Sequence, residues 1–214
     1  MRIDVDHLED LATGSVFLAT GGGGDPYVAM LTAQAALAKH GPVDLISAED
    51  LDDDATVVTI GSVGAPSAGL ELLMSIDEPR HAIEGYQRLL DRPIDAVVSF
   101  EIGGGNSLVP LIAAAGLGLP IVDGDGMGRA LPEAQMMTYA IAGVSPTPAL
   151  VLDYTGAAHV LNAADAFDYE RQVRAVSAAH GGMVTAVEHP MTGRQLKDSV
   201  VPGTVSFSIE LGQA

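Results

Sequence analysis

Four segments of the sequence set polar side chains among glycines in a way that could assemble a reacting centre. TGGGGDP at 20–26 precedes an apolar run of helical character. The amides of Gly22, Gly23 and Gly24, together with the start of that helix, could receive an anion or a polarised carbonyl. Asp25 would cap the helix, with Pro26 in its first turn. A tight helix-to-helix turn is the plainer reading of the same residues. FEIGGGNS at 100–107 follows an apolar strand-like run, and the carboxyl end of a buried parallel strand is where open α/β sheets bind ligands. A carboxylate is costly to bury there without a metal, a cation or a donor. Glu101 is therefore a candidate general base, with Gly104, Gly105 and Asn106 as candidate substrate contacts. The alternative is that Glu101 only accepts bonds from the amides of its own turn.

VDGDGMGRALPE at 122–133 carries Asp123 and Asp125 two residues apart, with Glu133 following. Both aspartates are candidate catalytic carboxylates, and oxygen clusters of this kind hold Mg²⁺ or Ca²⁺ or, with a histidine, Zn²⁺. The spacing is not that of an EF-hand loop. Arg129 would either balance the acids or clamp a substrate carboxylate. The alternative is a surface acidic turn closed by an arginine ion pair, but the segment's place after a buried strand favours a site. VEHPMTGR at 187–194 offers His189 as a metal ligand or proton shuttle, or else as a structural histidine. The candidate metal set is thus Asp123, Asp125, Glu133 and His189, while His7, His40, His81, His159 and His180 read as surface or helix-end residues. No G-x-S-x-G, H-E-x-x-H or S-x-x-K pattern occurs, so serine-hydrolase and zincin chemistry have no support.

These turns need a scaffold, and the composition supplies one. The 214 residues are 48% apolar but only 4% aromatic, enough for one aliphatic α/β core. A net charge of −18 repels phosphate backbones and anionic membranes, which argues against nucleic acid or lipid as partner. The absence of cysteine removes disulfides, thiolate zinc, iron–sulfur clusters and thiol nucleophiles. An acidic N-terminus is not a secretory signal, so a cytoplasmic location is expected.

Periodicity places helices over 7–18, 27–40, 81–90, 107–115, 131–142 and 167–180, with strands over 43–46, 57–60, 96–100, 120–122 and 183–187. A hairpin is expected around Gly156, and a further helix from 205. Strand, glycine turn and helix follow one another twice, at 96–115 and 120–142, which is the rhythm of a parallel sheet. The expected fold is a three-layer α/β domain over 1–214 with a mostly parallel sheet and glycine-rich strand-to-helix turns. Residues from about 150 to 214 are expected to form a less regular α+β portion, a candidate smaller subdomain.

LATGGGGDPYVA, SFEIGGGNSLVPLIAAAGLGLPIVDGDGMGRALPEAQMMT, EHPMTG and VVPGTVSFSIELG, in that order, resemble the S-methyl thiohydantoin desulfurase-like family, a hydantoinase- and oxoprolinase-associated group formerly classed as a domain of unknown function. The resemblance is to its N-terminal domain, and it implies that the usual β-rich C-terminal domain is absent here, to be supplied by a separately encoded chain or a hydantoinase-like partner, with a homo-oligomer as another arrangement. It further implies hydrolytic cleavage of a C–S bond on a cyclic thioureide or amide, with a divalent metal, zinc for preference, as cofactor. A non-catalytic subunit of a hydantoinase-type enzyme, or a small-molecule or nucleotide binder, is the competing expectation.

Overall fold

The computed structural model describes residues 1–214. Its elements run β1 (Arg2–Ile3), α1 (Leu8–Ala19), α2 (Tyr27–His40), β2 (Val43–Ile46), β3 (Thr56–Gly64), α3 (Ala68–Glu71), α4 (Glu78–Leu90), β4 (Ala96–Ser99), α5 (Val109–Leu117) and β5 (Ile121–Asp125). The second part continues with α6 (Thr138–Ile141), β6 (Ala149–Leu152), β7 (Ala158–Leu161), α7 (Ala166–Ala179), β8 (Met183–Thr192), α8 (Gly193–Lys197), β9 (Val201–Pro202) and α9 (Thr204–Gln213).

The strands form one sheet in the order β1-β2-β5-β4-β3-β8-β6-β7, with β9 added against β5. β2, β5, β4 and β3 are mutually parallel at its centre. The less regular C-terminal part joins antiparallel, β8 along β3 and β6 between β8 and β7. β-branched residues alternate across the central strands. Val58, Ile60 and Val97 enter a core with α1, α2, α4 and α5, while Val57, Val98 and Phe100 enter a second core with α6, α7 and α8. Two apolar faces covered by helices give the three layers and explain why the central strands read as continuous apolar runs.

The helix expected over 131–142 is divided into a 3₁₀ turn at Ala134–Met136 and the short α6. Met137 is extended at ψ 140°, which stops the helix between them. The Leu131 amide is drawn to Glu101 Oε2 at 3.1 Å and the Thr138 amide to the Gly126 carbonyl at 2.7 Å. Tertiary hydrogen bonds to the neighbouring turns thus displace the local helical ladder. α4 and β3 both begin earlier or run longer than the sequence pattern marks, whereas β2 coincides with it.

Candidate active site

The three glycine turns meet. The Gly105 amide donates to the Gly23 carbonyl at 3.0 Å, and Gly104 packs so tightly that a Cβ there would lie 2.4 Å from that carbonyl oxygen. Cβ atoms added at Gly22 or Gly103 would fall 2.8 and 2.7 Å from the Ala130 methyl. Glycine is thus required by close contact with a neighbouring turn, through backbone at Gly104 and the Ala130 methyl at Gly22 and Gly103, and at Gly104 also by a φ of +59°. The turns border a cleft of about 620 Å³ beyond the carboxyl ends of β3 and β4, a volume typical of small-molecule sites. Gly23, Gly24, Asp25, Glu101, Gly105, Asn106 and Glu133 all line it.

Glu101 is only 6% exposed. Its Oε1 accepts from Asn106 Nδ2 at 2.9 Å and its Oε2 from the Leu131 amide at 3.1 Å. Burial raises its pKa above the ordinary glutamate value, against the pull of those two donors, and the nearby Asp125 adds to the rise. Asn106 is fully engaged as a donor: its second N–H reaches the Ser62 carbonyl at 3.2 Å while Oδ1 accepts from the Ser62 amide at 2.7 Å. It fixes Glu101 against the end of β3, so the donor role toward substrate expected of it is already taken by the protein.

Asp125 lies beneath the turns and is 0% exposed. Its Oδ2 accepts from the amides of Ile102, Met127 and Gly128 at 3.0, 3.0 and 2.8 Å, tying β5 to the Glu101 turn. Burial pushes its pKa up to about 6 despite those amides. Asp123, by contrast, leaves the cleft. Its Oδ1 accepts from the Val205 and Ser206 amides at 3.1 and 3.0 Å and thereby caps α9, beside a separate depression lined by Met1, Leu45 and Gly203. Pairing slips between β4 and β5 so that two residues, Val97 to Ser99, span four, Ile121 to Asp125. This irregularity breaks the rule that residues two apart share a surface.

Arg129 is exposed and donates to the Thr20 hydroxyl, linking two turns without entering the cleft. His189 is 0% exposed, with its ring against Tyr139 and its Nδ1 3.1 Å from Glu188 Oε1, out of hydrogen-bond alignment. The four residues expected to share an ion therefore do not fit one. Asp123 is committed to α9, Asp125 Oδ2 to amides, Glu133 to the exposed rim and His189 to the core.

Residues 6–163 match the S-Me-THD-like N-terminal domain and residues 164–214 the S-Me-THD-like C-terminal domain. The chain belongs to the S-Me-THD-like family. The crystal structure of a protein from Chromobacterium violaceum is similar to this S-Me-THD-like chain at 28% identity and a TM-score of 0.86. The likeness covers 100% of this chain and 61% of that one, so the chain spans under two thirds of that protein's length. No curated protein matches.

The second half of this S-Me-THD-like chain brings polar groups to the cleft that its sequence did not flag. Glu188 on β8 and Glu170 with Arg174 on α7 all line it. Glu188 is fully buried, accepts from the Tyr169 hydroxyl, and leaves Oε1 without a hydrogen bond. Its signal in the sequence was an acid inside an otherwise apolar strand, MVTAVE. Metal-type donors do gather elsewhere: Asp153, His159 and His180 hold ligand atoms within 4.8 Å of one another. No helix is long and apolar enough to cross a membrane.

Proposed function

We propose that the cleft hydrolyses the C–S bond of an S-alkyl thiohydantoin or a related cyclic thioureide, with Glu101 as the base that activates water. The observation that carries this reading is the buried Glu101 carboxylate, held by two donors where three glycine turns converge on the cleft. A carboxylate accepts about four hydrogen bonds, so two lone-pair positions of Glu101 remain for a water. Its raised pKa makes it a stronger base than a surface glutamate.

In the proposed reaction Glu101 takes a proton from water as the oxygen bonds to the sulfur-bearing ring carbon. The C=N electrons move onto the ring nitrogen, and their return expels the thiolate, which leaves as the thiol after Glu101 returns the proton. The product C(OH)=N unit then shifts its hydroxyl proton to the ring nitrogen, and a hydantoin carbonyl remains. The Gly23 and Gly24 amides donate to no acceptor within the chain, which suits them to stabilising charge on the ring heteroatoms. Asp25, Glu133, Glu170 and Glu188 surround the cleft, and its one arginine, Arg174, is bound to Glu170 Oε1 at 2.6 Å and to the Pro132 carbonyl at 2.6 Å. Such a lining favours an uncharged ring over an anionic one.

The test is incubation with an S-methyl thiohydantoin in oxygen-18 water. Methanethiol release with one labelled oxygen in the hydantoin is expected. Absence of thiol release, or an unlabelled product, rules the reaction out.

A further inference from the structure

From geometry lying outside the cleft, and independent of the C–S chemistry, we infer that Asp153, His159 and His180 form a binding site for one divalent transition-metal ion of the zinc class.

The three residues come from three elements. Asp153 follows β6, His159 lies on β7, and His180 follows the last residue of α7. Asp153 Oδ1 is consumed by the turn, accepting from the Thr155 amide at 2.9 Å, the Thr155 hydroxyl at 2.6 Å and the Ala157 amide at 3.1 Å. That fixes the carboxylate and leaves Oδ2 facing the imidazoles. His159 Nε2 stands 3.0 Å and His180 Nδ1 2.9 Å from this one oxygen. The rings tilt at 53° with centroids 4.5 Å apart, so their nitrogens converge without stacking.

An ion held at roughly 2.1 Å by each donor in a tetrahedral arrangement needs donors about 3.4 Å apart. The observed oxygen-to-nitrogen distances are within a few tenths of an ångström of that, which side-chain torsions can supply. Donor chemistry narrows the ion. Two imidazoles and one carboxylate oxygen suit zinc and its neighbours in the first row, and are a poor set for Mg²⁺ or Ca²⁺. The second carboxylate oxygen, held by backbone and hydroxyl donors, supplies the outer support that metal-binding carboxylates require. Both rings are partly exposed, at 26% and 37%, so the ion has a route in and room for a water.

The location gives the ion a mechanical role. His180 leads through Gly181 and Gly182 into β8, where Met183 lines the cleft. An ion here joins the end of α7 to the β6–β7 hairpin and braces the wall from which Glu170, Arg174 and Met183 reach the cleft.

Chelator-treated protein titrated with Zn²⁺ in a calorimeter, and with Co²⁺ followed by visible absorption, tests the site. One ion per chain is expected, with cobalt bands of imidazole ligation and a higher melting temperature in zinc. His159→Ala and His180→Ala should weaken zinc binding roughly 100-fold or more and abolish the thermal shift. Asp153→Asn keeps an acceptor for the turn amides and should weaken binding while preserving the fold. His81→Ala, a histidine on α4 outside the cluster, should change nothing. Failure of the wild type to saturate at one equivalent, or equal zinc affinity in the folded Asp153→Asn and histidine variants, overturns the inference. None of these readouts depends on turnover of a thiohydantoin.

Discussion

Replacing Glu101 by glutamine removes the base while keeping the volume. The structure divides the consequence into two measurable parts. Glutamine has one oxygen, but both Glu101 oxygens accept bonds, from Asn106 and from the Leu131 amide. One donor must then face the new NH₂ group, at a cost of about 1–3 kcal/mol for a buried unpaired group. Relief from burying a carboxylate offsets part of that loss, because desolvation is the main cause of the raised Glu101 pKa. The net change in stability should stay under about 2 kcal/mol, a shift of roughly 4–8 °C or less in melting temperature for a chain of this size.

The kinetic loss should be far larger. General-base assistance contributes about 10²–10⁴-fold, equivalent to roughly 3–5 kcal/mol of barrier. It should appear in kcat, with KM little changed, because Glu101 acts on water. Thiol release with a chromogenic thiol reagent, measured across pH, is the assay. The wild type should lose activity on the acid side at an apparent pKa above that of an ordinary glutamate, and Glu101→Gln should lack that limb. A folded Glu101→Gln protein that retains turnover within about tenfold of wild type, or keeps the same acid limb, refutes the assignment.

Gly104→Ala should cost roughly 2–4 kcal/mol, since its Cβ would sit 2.4 Å from the Gly23 oxygen at a φ of +59°. Gly118→Ala, at φ +66° but with nothing within 4 Å, should cost only about 1–2 kcal/mol, and equal melting temperatures for the two would contradict the close packing of the turns. Asp125 has a native pKa raised from 3.8 to about 6, so the folded state holds its proton more tightly and loses stability as pH rises through that window. Asp125→Asn should therefore remove about 2 kcal/mol from the difference in unfolding free energy between pH 4 and pH 7, and an unchanged difference in denaturant titrations would show that the carboxyl is not buried as described.

The sequence was most informative where function and local structure coincide. Glycine runs marked the turns, at 20–26 between two helices and at 100–107 and 122–133 beside apolar strands, and Glu101 stood out as a carboxylate at a strand end. Its signal failed where position depends on pairing between distant segments. Asp123 and Asp125 are equivalent by spacing, and only the slipped pairing of β5, together with its contact to the two-residue β9, sends one to α9 and the other under the turns. His159 and His180 look like isolated surface histidines because no short motif joins residues 21 positions apart on a strand and beyond a helix. Glu188 was hidden for a related reason: the strand that carries it was recognised, but nothing local tells which neighbour a strand pairs with or what lies above it.

That pairing bears on how the two matched segments cooperate. β8 belongs to residues 164–214, yet it lies between β3 and β6, both from residues 6–163. β6 and β7 thus reach the parallel strands only through a strand contributed by the later segment. The cleft is divided in the same way, with the glycine turns and Glu101 on one side and Glu170, Arg174, Met183 and Glu188 on the other. The carboxylate base depends on Asn106 and Leu131, which depend on the close meeting of the turns, and the opposite wall depends on β8 being seated along β3. Burial of Glu101 is therefore a property of the closed sheet. Loosening β8 should lower the Glu101 pKa toward its solvated value and widen the cleft together, because the same packing that excludes water from the carboxylate also positions the wall facing it.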